Sequence, residues 1–433
     1  MTTNPKLLLR TILRALLLAV PVLLAMTVGC GKKHEQIDSE GRRVIHFWQF
    51  WTDPRVKTVV VNAVEEFEKE NPLYKVEITD LTWDNGYQKL VAAFAAGEVP
   101  DLVELGSDWI AEFADRGALL QLDQECEKMK DKYVGWPPAI WDSNCYALPW
   151  YVATRVFFQN DDLAALIMGH TRPHPITWAR LLEYAKDSRL SRPKAWGFGV
   201  NAAEPHRLYK RFLPFLWAAG GDVLTEDQTA CAMETEAGRQ ALQFIVNLSE
   251  GQYVEKQAAL DDAFIQGKLL FHFSGDWLYE KLKSSGTSTK YSAFPMPYPA
   301  PGQGTQAGFA GGEYLAIPRK AAEPVAAINL ARTLLSAKNI FNLCIATGAA
   351  TPANMEVASN SYFFDDSVRD VFIYQLNEAH SPPAHPRWLE MEDVIEKGVE
   401  KALYEKARVE DVLHEMCEGI NKILADYEKE KKK

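Results

Sequence analysis

Residues 43–105 alternate between two hydrophobic periodicities, and this alternation limits the possible fold more than any other feature of the chain. Three β-prone runs are separated by two segments of helical periodicity, the first of which stops at Asn71-Pro72. In order, the runs and segments are 43–51, 56–70, 75–79, 87–96 and 101–105. An order of strand, helix, strand, helix, strand implies right-handed βαβ units. We therefore predict an α/β fold with a mostly parallel sheet covered by helices.

Aromatic residues are concentrated where these predicted strands end. Open α/β sheets bind their ligands at the carboxyl ends of the strands. The residues expected there are Trp48, Trp51, Trp83, Asp108 and Trp109. A flat indole ring with a polar N–H suits the C–H face of a sugar, whereas any one tryptophan taken alone fits a packing role equally well.

The N-terminus has the pattern of an export signal. Lys6, Arg10 and Arg14 precede an uncharged run, 15–30, that ends in Cys30 and is followed by polar residues. The apolar run is short for a bilayer core of roughly 30 Å, so a cleaved leader is favoured over a transmembrane helix or a buried core helix. Residues 26–30 resemble the lipobox of bacterial lipoproteins, which implies lipidation of Cys30; cleavage without lipidation is the alternative.

The charge balance excludes one class of partner. The chain has 433 residues, with 47 Lys and Arg against 58 Asp and Glu, a formal charge of −11. Because the leader holds three of the positive charges and none of the negative ones, the mature part is more acidic still. A nucleic-acid partner would require a basic stripe, so we expect none. We expect a monomer.

The cysteines indicate neither a metal site nor a fixed pairing. Besides Cys30 there are five, an odd number without the spacing of zinc ligands, namely Cys126, Cys145, Cys231, Cys344 and Cys417. An exported protein can oxidise a pair, and Cys126 and Cys145 are the closest in sequence, but spacing alone leaves the connectivity open. At least one thiol should remain free. No cofactor is predicted.

Several short motifs follow one another in a specific order and spacing. They are 45–48, 67–72, 95–101, 109–123, 146–149, 159–163, 175–178, 263–268, 275–277, 311–312 and 316–318. Together they resemble the family 1 extracellular solute-binding proteins of ABC importers, which include maltose-, multiple-sugar- and glycerol-phosphate-binding members.

This resemblance implies the two-lobe, type II periplasmic-binding-protein fold, in which each lobe is a mostly parallel sheet flanked by helices and a hinge joins the two. The corresponding division is a signal peptide at 1–29 and a lipidated N-terminus with a linker at 30–41. Lobe 1 comprises 42–153 and 305–362, and lobe 2 comprises 154–304 and 363–433. The resemblance also places the first crossing between lobes at 146–154, which includes Trp150 and Tyr151.

Further candidate ligand contacts lie in the second half of the chain. An apolar strand, 269–273, runs into Gly275, Asp276 and Trp277 at a strand-to-helix turn, whose free N–H groups can bind ligand oxygens. Trp277 is the strongest single candidate. The remaining candidates are Trp217 and Asp222 at a helix end, Gly311, Gly312, Glu313 and Tyr314 where glycines permit close backbone approach, and Arg387 and Trp388 after a proline-rich third crossing.

Enzymatic alternatives lack their motifs. The sequence has no nucleophile elbow, zinc-protease motif, phosphate-binding loop or dinucleotide fingerprint. A glycosidase needs two acids across the scissile bond, but we interpret the adjacent pairs 161–162, 261–262 and 365–366 as solvated surface.

We therefore expect a lipid-tethered receptor that binds a mono- or oligosaccharide between two lobes and delivers it to an ABC permease. A phosphorylated polyol bound by Arg55, Arg155 or Arg387 is the alternative solute. A secreted glycoside-processing enzyme is the alternative of a different class.

Overall fold

A computed structural model describes residues 36–168, 174–187, 190, 194–202, 207–348, 351–364 and 366–432. The predicted leader and Cys30 lie outside the described residues. In the first part of the chain the elements are β1 (Arg43–Gln49), α1 (Pro54–Glu70), β2 (Tyr74–Asp80), α2 (Gly86–Ala96), β3 (Leu102–Gly106), α3 (Ile110–Asp115), α4 (Asp123–Met129), β4 (Ile140–Trp141), β5 (Asn144–Cys145) and β6 (Ala147–Asn160).

The predicted alternation over 43–105 is confirmed, and local chemistry explains its boundaries. Asp53 caps α1 by accepting from the amides of Arg55 and Val56, and Pro54 occupies the first helical turn, where it displaces no hydrogen bond. One face of α1 is buried, and Asn71 ends the helix.

Helices and strands also alternate in the middle of the chain. Its elements are α5 (Asp161–Met168), α6 (Trp178–Ala185), β7 (Trp196–Val200), α7 (Tyr209–Ala218), α8 (Glu236–Ser249), β8 (Tyr253–Val254), α9 (Gln257–Ile265), β9 (Leu269–Gly275), α10 (Asp276–Ser284), β10 (Tyr291–Phe294) and β11 (Gly308–Ala316). The last elements are α11 (Pro324–Leu334), α12 (Ala337–Thr347), α13 (Met355–Ala358), α14 (Ser361–Phe364), α15 (Ser367–Asn377), β12 (Ala379–His380), α16 (Trp388–Tyr404) and α17 (Val409–Lys431).

The strands pair in the order β2-β1-β3-β11-β6-β9-β7-β8. Pairs among β1, β2 and β3 and among β7, β8 and β9 are parallel, whereas β11 and β6 pair antiparallel with their neighbours. The sheet is therefore mixed rather than purely parallel. The antiparallel pairs arise because β6 and β11 are the strands that cross between lobes: the first half of β6 pairs with β11 and its second half with β9 and β10.

Separate hydrophobic cores define the two lobes. The first lobe surrounds a cluster drawn from 45–152 and 314–363. The second lobe surrounds a cluster drawn from 157–309 and 388–424, with a smaller cluster beside it. The predicted two-lobe α/β architecture is confirmed, while the exact lobe boundaries stay a prediction.

Each lobe also contains a disulfide. Cys126 pairs with Cys145 in the first lobe, and Cys231 pairs with Cys417 of α17 in the second. Cys344 is a buried free thiol. Burial raises the pKa of Cys344, so the thiol is protonated and unreactive at neutral pH. Within the described ranges, no helix is both long and apolar enough to cross a membrane.

Candidate functional site

The loop after β1 carries the first aromatic ring of the site, and a buried carboxyl group holds it. The amide N–H of Phe50 donates to Glu104 Oε2 over 2.7 Å, and the amide of Trp51 donates to Gln49 Oε1 over 2.6 Å. Glu104 is 0% exposed, and burial raises its pKa to about 8. The backbone that presents the Trp51 ring is therefore fixed from inside the first lobe.

Two further rings of the first lobe, Trp83 and Trp109, pack beside this loop. Trp83 stacks on Phe50 with 4.4 Å between ring centroids, and Trp109 lies 5.4 Å from Trp83. A Cβ atom at Gly106 would lie 3.5 Å from Trp109 and 3.6 Å from Trp83, in ordinary contact with both rings, so the two rings meet over this residue. Trp83 remains 47% exposed, a large apolar face open to solvent.

Trp48 does not join this group. We expected it in the loop after the first strand, but it lies within β1, where it pairs with Thr79 and Val103. Because side chains alternate along a strand, Trp48 and its neighbours Phe47 and Gln49 point to opposite faces of the sheet.

The second lobe presents Trp277 at the predicted strand-to-helix turn. Gly275 ends β9 and Asp276 opens α10. A Cβ atom at Gly275 would lie 2.0 Å from the Trp277 ring, so only glycine lets the indole fold back over this turn. The Trp277 indole N–H donates to Asp261 Oδ2 over 3.2 Å, which fixes the ring's orientation.

Asp261 is the centre of a buried hydrogen-bond network. It accepts from Gln257 Nε2 at 2.7 Å and Ser274 Oγ at 3.1 Å, and it contacts the His272 ring at 2.9 Å and Lys281 Nζ at 3.3 Å. Burial alone would raise the pKa of Asp261, but the hydrogen bond and charge of His272, followed by the charge of Lys281, lower it to about 2. The group is therefore a fixed anion.

The interpretation of the acid pairs as solvated surface is wrong at two positions. Asp261 is 1% exposed and Asp161 is also buried, whereas Asp162 and Asp262 are exposed as expected. Packing of α9 against β9 buries Asp261, a long-range event that adjacent acidic letters do not reveal. Asp366 caps α15 and accepts from Tyr279, and Asp365 lies outside the described residues.

Polar side chains join the lobes in front of these rings. The Tyr151 hydroxyl donates to Asp276 Oδ1 over 2.9 Å, and the Tyr209 hydroxyl donates to Asp108 Oδ2 over 2.9 Å. Lys210 Nζ lies 3.4 Å from the same Asp108 oxygen. We call the region formed by Asp108, Tyr151, Tyr209, Lys210 and Asp276 the interlobe junction.

The aromatic groups border this junction from both sides. The Trp51 ring meets Tyr151 edge-on at 5.2 Å. Arg155 of β6 lies over the rings of Trp277 and Phe309, 5.4 and 5.2 Å from their centroids, and Lys210 lies 5.4 Å from the Phe309 centroid. The predicted residues Trp51, Asp108, Tyr151, Asp276 and Trp277 are therefore brought together.

Sequence reasoning missed three members of the region. Tyr209 and Lys210 begin α7 and Phe309 lies in β11, and none of the three is among the predicted contacts. The available signal is the pair Lys210-Arg211 at the start of a helix that is otherwise apolar and aromatic. Burial lowers the pKa of Lys210, and the charge of Asp108 opposes that shift.

Glu313 of β11 contributes a carboxyl group with unusual titration. Burial raises its pKa well above the ordinary value, and the nearby carboxyl groups of Glu104 and Asp276 disfavour a further negative charge. Among the described residues, buried Glu313 Oε2 has no hydrogen-bond partner. Burial therefore disfavours the charged form of Glu313.

The two glycines before Glu313 serve the sheet. A Cβ atom at Gly312 would lie 2.0 Å from the Tyr151 carbonyl oxygen, so Gly312 permits close approach of β11 to β6. We expected this freedom to admit a ligand, but a neighbouring strand uses it at Gly312. At Gly311 a Cβ atom would meet Phe309 at 3.1 Å and Ser107 at 3.4 Å.

Other candidates lie in the cores or at the surface. Trp150 belongs to the first cluster, and the Tyr314 hydroxyl donates to the Gly135 carbonyl over 2.6 Å. Trp217 donates to Asp222 over 3.1 Å, and Trp388 packs 5.8 Å from Tyr209 inside the second cluster. A role for these residues in ligand binding stays a prediction.

The three arginines considered as anion clamps differ in their partners. Arg55 is exposed and lies 3.5 Å from Asp53 and 3.6 Å from Glu280. Arg387 pairs with Glu390 at 2.7 Å and also with Glu430. We expected Arg387 in the cleft between the lobes, but these two acids already neutralise its charge. Arg155 has no carboxylate within ion-pair distance in the described part of the chain. No cluster of potential metal ligands occurs in that part either.

A family model for bacterial extracellular solute-binding proteins matches residues 54–340, well over half of the chain. The chain belongs to this family. The resemblance stated from the sequence motifs is thereby confirmed.

Individual proteins resemble the chain over most of its length. A putative binding protein of Brucella abortus is 22% identical over 371 residues, covering 83% of this chain and 88% of that protein. An ABC transporter solute-binding protein from Thermotoga lettingae, solved with α-D-tagatose, has a TM-score of 0.77 at 24% identity and covers 88% of this chain and 99% of its own. UgpB of Mycobacterium tuberculosis, solved with glycerophosphocholine, has a TM-score of 0.74 at 22% identity, over 90% and 100% of the two chains. At these identities the two solved structures share the fold with this chain, and they were solved with different ligands.

Proposed function

We propose that this protein is the substrate-binding component of an ABC importer and that it captures a carbohydrate at the interlobe junction. The proposal is supported mainly by indole rings from both lobes that border the interlobe junction. Trp51 lies beside Tyr151 in the first lobe, and Trp277 lies beneath Arg155 in the second. Rings at two sides suit the apolar faces of a sugar, and polar groups between them suit its hydroxyls.

Polar atoms of the junction supply the hydrogen bonds that such a ligand needs. The Trp51 indole N–H is buried without a partner among the described residues, as is Glu313 Oε2. A buried polar atom without a partner costs about 1–3 kcal/mol, which a ligand hydroxyl would offset. Hydrogen bonds of ligand hydroxyls with the Trp51 N–H and with Glu313 Oε2 therefore favour binding of a polyhydroxylated solute.

Contacts between the two lobes support a mechanism in which the lobes close around the ligand. The hydrogen bonds from Tyr151 to Asp276 and from Tyr209 to Asp108 join the lobes, and β6 and β11 are the strands that bend when they separate. A ligand that contacts both lobes stabilises the joined form. In this proposal the permease recognises that form, and a lipid on Cys30 holds the protein at the membrane.

Isothermal titration calorimetry of the mature protein against mono- and oligosaccharides tests the proposal, with chromatography of the same mixtures to detect products. We expect micromolar binding of at least one saccharide, about −8 kcal/mol, and no conversion. Binding of non-sugar solutes alone would contradict the carbohydrate assignment. Released product would indicate an enzyme.

A further inference from the structure

Arg155 is held in the junction by rings and not by acids. Its strand places it opposite Gly275, directly beside the turn that carries Trp277. The guanidinium carbon lies 5.4 Å from the Trp277 centroid and 5.2 Å from the Phe309 centroid. Ring faces attract the cation but accept none of its in-plane N–H groups. Because none of the described residues accepts a hydrogen bond from it, the donor fork of Arg155 is left for another molecule.

The acids nearest to Arg155 are already engaged. Asp108 accepts from Tyr209 and contacts Lys210, and Asp276 accepts from Tyr151. Burial raises the pKa of Glu313 and so disfavours its charged form. Arg155 is half-buried, and a charge that is partly removed from water is favourably paired with an opposite charge or a ligand.

The neighbouring cation Lys210 differs from Arg155 in its partners. Lys210 Nζ lies 3.4 Å from Asp108, whereas Arg155 has no carboxylate within ion-pair distance among the described residues. Burial, followed by the charge of Arg207, lowers the pKa of Arg155 to about 10. Arg155 is therefore the cation of the junction that a bound anion would neutralise.

We infer that the carbohydrate captured at the junction carries a negative charge, as a carboxylate, sulfate or phosphate, and that Arg155 binds this group through its donor fork. The inference rests on the proposed function and narrows its substrate class. A guanidinium presents paired N–H donors that match two oxygens of such an anion. The indole of Trp277 holds the fork in place and remains available to the sugar ring.

Calorimetry with matched ligands tests this inference. Trigalacturonate, a sulfated disaccharide and glucose 6-phosphate represent the three anions, and galactotriose, the unsulfated disaccharide and glucose are their neutral counterparts. We expect at least one acidic member to bind tenfold or more tightly than its neutral counterpart. Arg155→Gln should reduce that ratio at least tenfold, and Arg155→Lys should restore part of it because the charge returns without the fork.

Arg180→Gln is the matched control, since Arg180 is an exposed arginine of α6 paired with Glu183 at 2.7 Å; it should leave the ratio unchanged. Neutral sugars that bind as tightly as acidic ones would overturn the inference and leave the proposed function intact. Binding of glycerol 3-phosphate with no binding of any saccharide would overturn both. An acidic preference that survives Arg155→Gln in a folded variant, verified by circular dichroism, would also overturn the role of Arg155.

Discussion

Two carboxyl groups lie buried on either side of the junction, Glu104 in the first lobe and Asp261 in the second. Their pKa values are shifted in opposite directions. Glu104 accepts the Phe50 amide, and its other oxygen has no partner in the described part of the chain, so burial raises its pKa to about 8. Asp261 is equally buried but is surrounded by donors, and its pKa is about 2. Donor supply therefore decides the charge of a buried acid where burial is equal.

Both groups hold an aromatic platform. Glu104 fixes the backbone that carries Trp51, and Asp261 fixes the indole N–H of Trp277. The second platform is anchored by charge and the first by a neutral acid, so the two lobes should respond differently to substitution and to pH.

The largest effect is expected at Asp261. Asp261→Asn removes the anion among His272, Gln257 and Lys281, and should lower the free energy of unfolding at pH 7 by about 3 kcal/mol. The pKa of Asp261 is lowered, so its contribution is present above about pH 4 and is lost as the pH falls to about 2. Denaturant unfolding measures this. Asp262→Asn, one residue along on the exposed face of α9, is the control, and equal effects of both variants would refute the anchor.

Glu104 should give the opposite pH dependence. Its raised pKa means that the folded state keeps a proton that the unfolded state has released, so stability falls as the pH rises from about 5 to about 8. The slope contributed by one group is at most about 1.4 kcal/mol per pH unit. Glu104→Gln should remove this part of the slope in unfolding measured across that range. Glu65→Gln, at an exposed position of α1, should not, and an unchanged slope in Glu104→Gln would show that Glu104 is charged in the folded protein.

Trp277→Ala tests the second platform as a ligand surface. We expect at least tenfold weaker saccharide binding, about 1.4 kcal/mol, because a stacked ring is lost. Calorimetry with the tightest saccharide found for the unaltered protein measures it. Trp196→Ala is a matched control, since Trp196 stacks on Tyr253 at 4.5 Å between centroids within the second lobe. A lower free energy of unfolding in Trp277→Ala with unchanged saccharide affinity would assign Trp277 to packing.

The smallest effect is expected at Tyr151. Tyr151→Phe removes one hydrogen bond between the lobes and should weaken ligand binding about fivefold, corresponding to about 1 kcal/mol. The same titration detects it. Tyr374→Phe, which removes an exposed hydrogen bond to Gln306, controls for the substitution. Unchanged affinity in Tyr151→Phe would mean that the Tyr151–Asp276 bond does not stabilise the joined form.

The sequence predicted those parts of the fold that depend on local pattern. The alternation over 43–105 and the turn at Gly275 to Trp277 were read from periodicity and from glycine at a strand end. Whether a tryptophan lines a space or fills a core depends on distant partners, so Trp150 and Trp388 were grouped with Trp51. The burial of Asp261 and the position of Phe309 likewise arise from packing between segments far apart in the chain.

The proposal that a saccharide binds at the interlobe junction is best tested by a crystal structure of the mature protein in complex with its tightest-binding saccharide. We expect density for one saccharide at the interlobe junction, with a sugar ring against Trp277 and polar contacts from both lobes. Density for the saccharide on an outer surface of either lobe, with the junction filled only by solvent, would contradict this proposal.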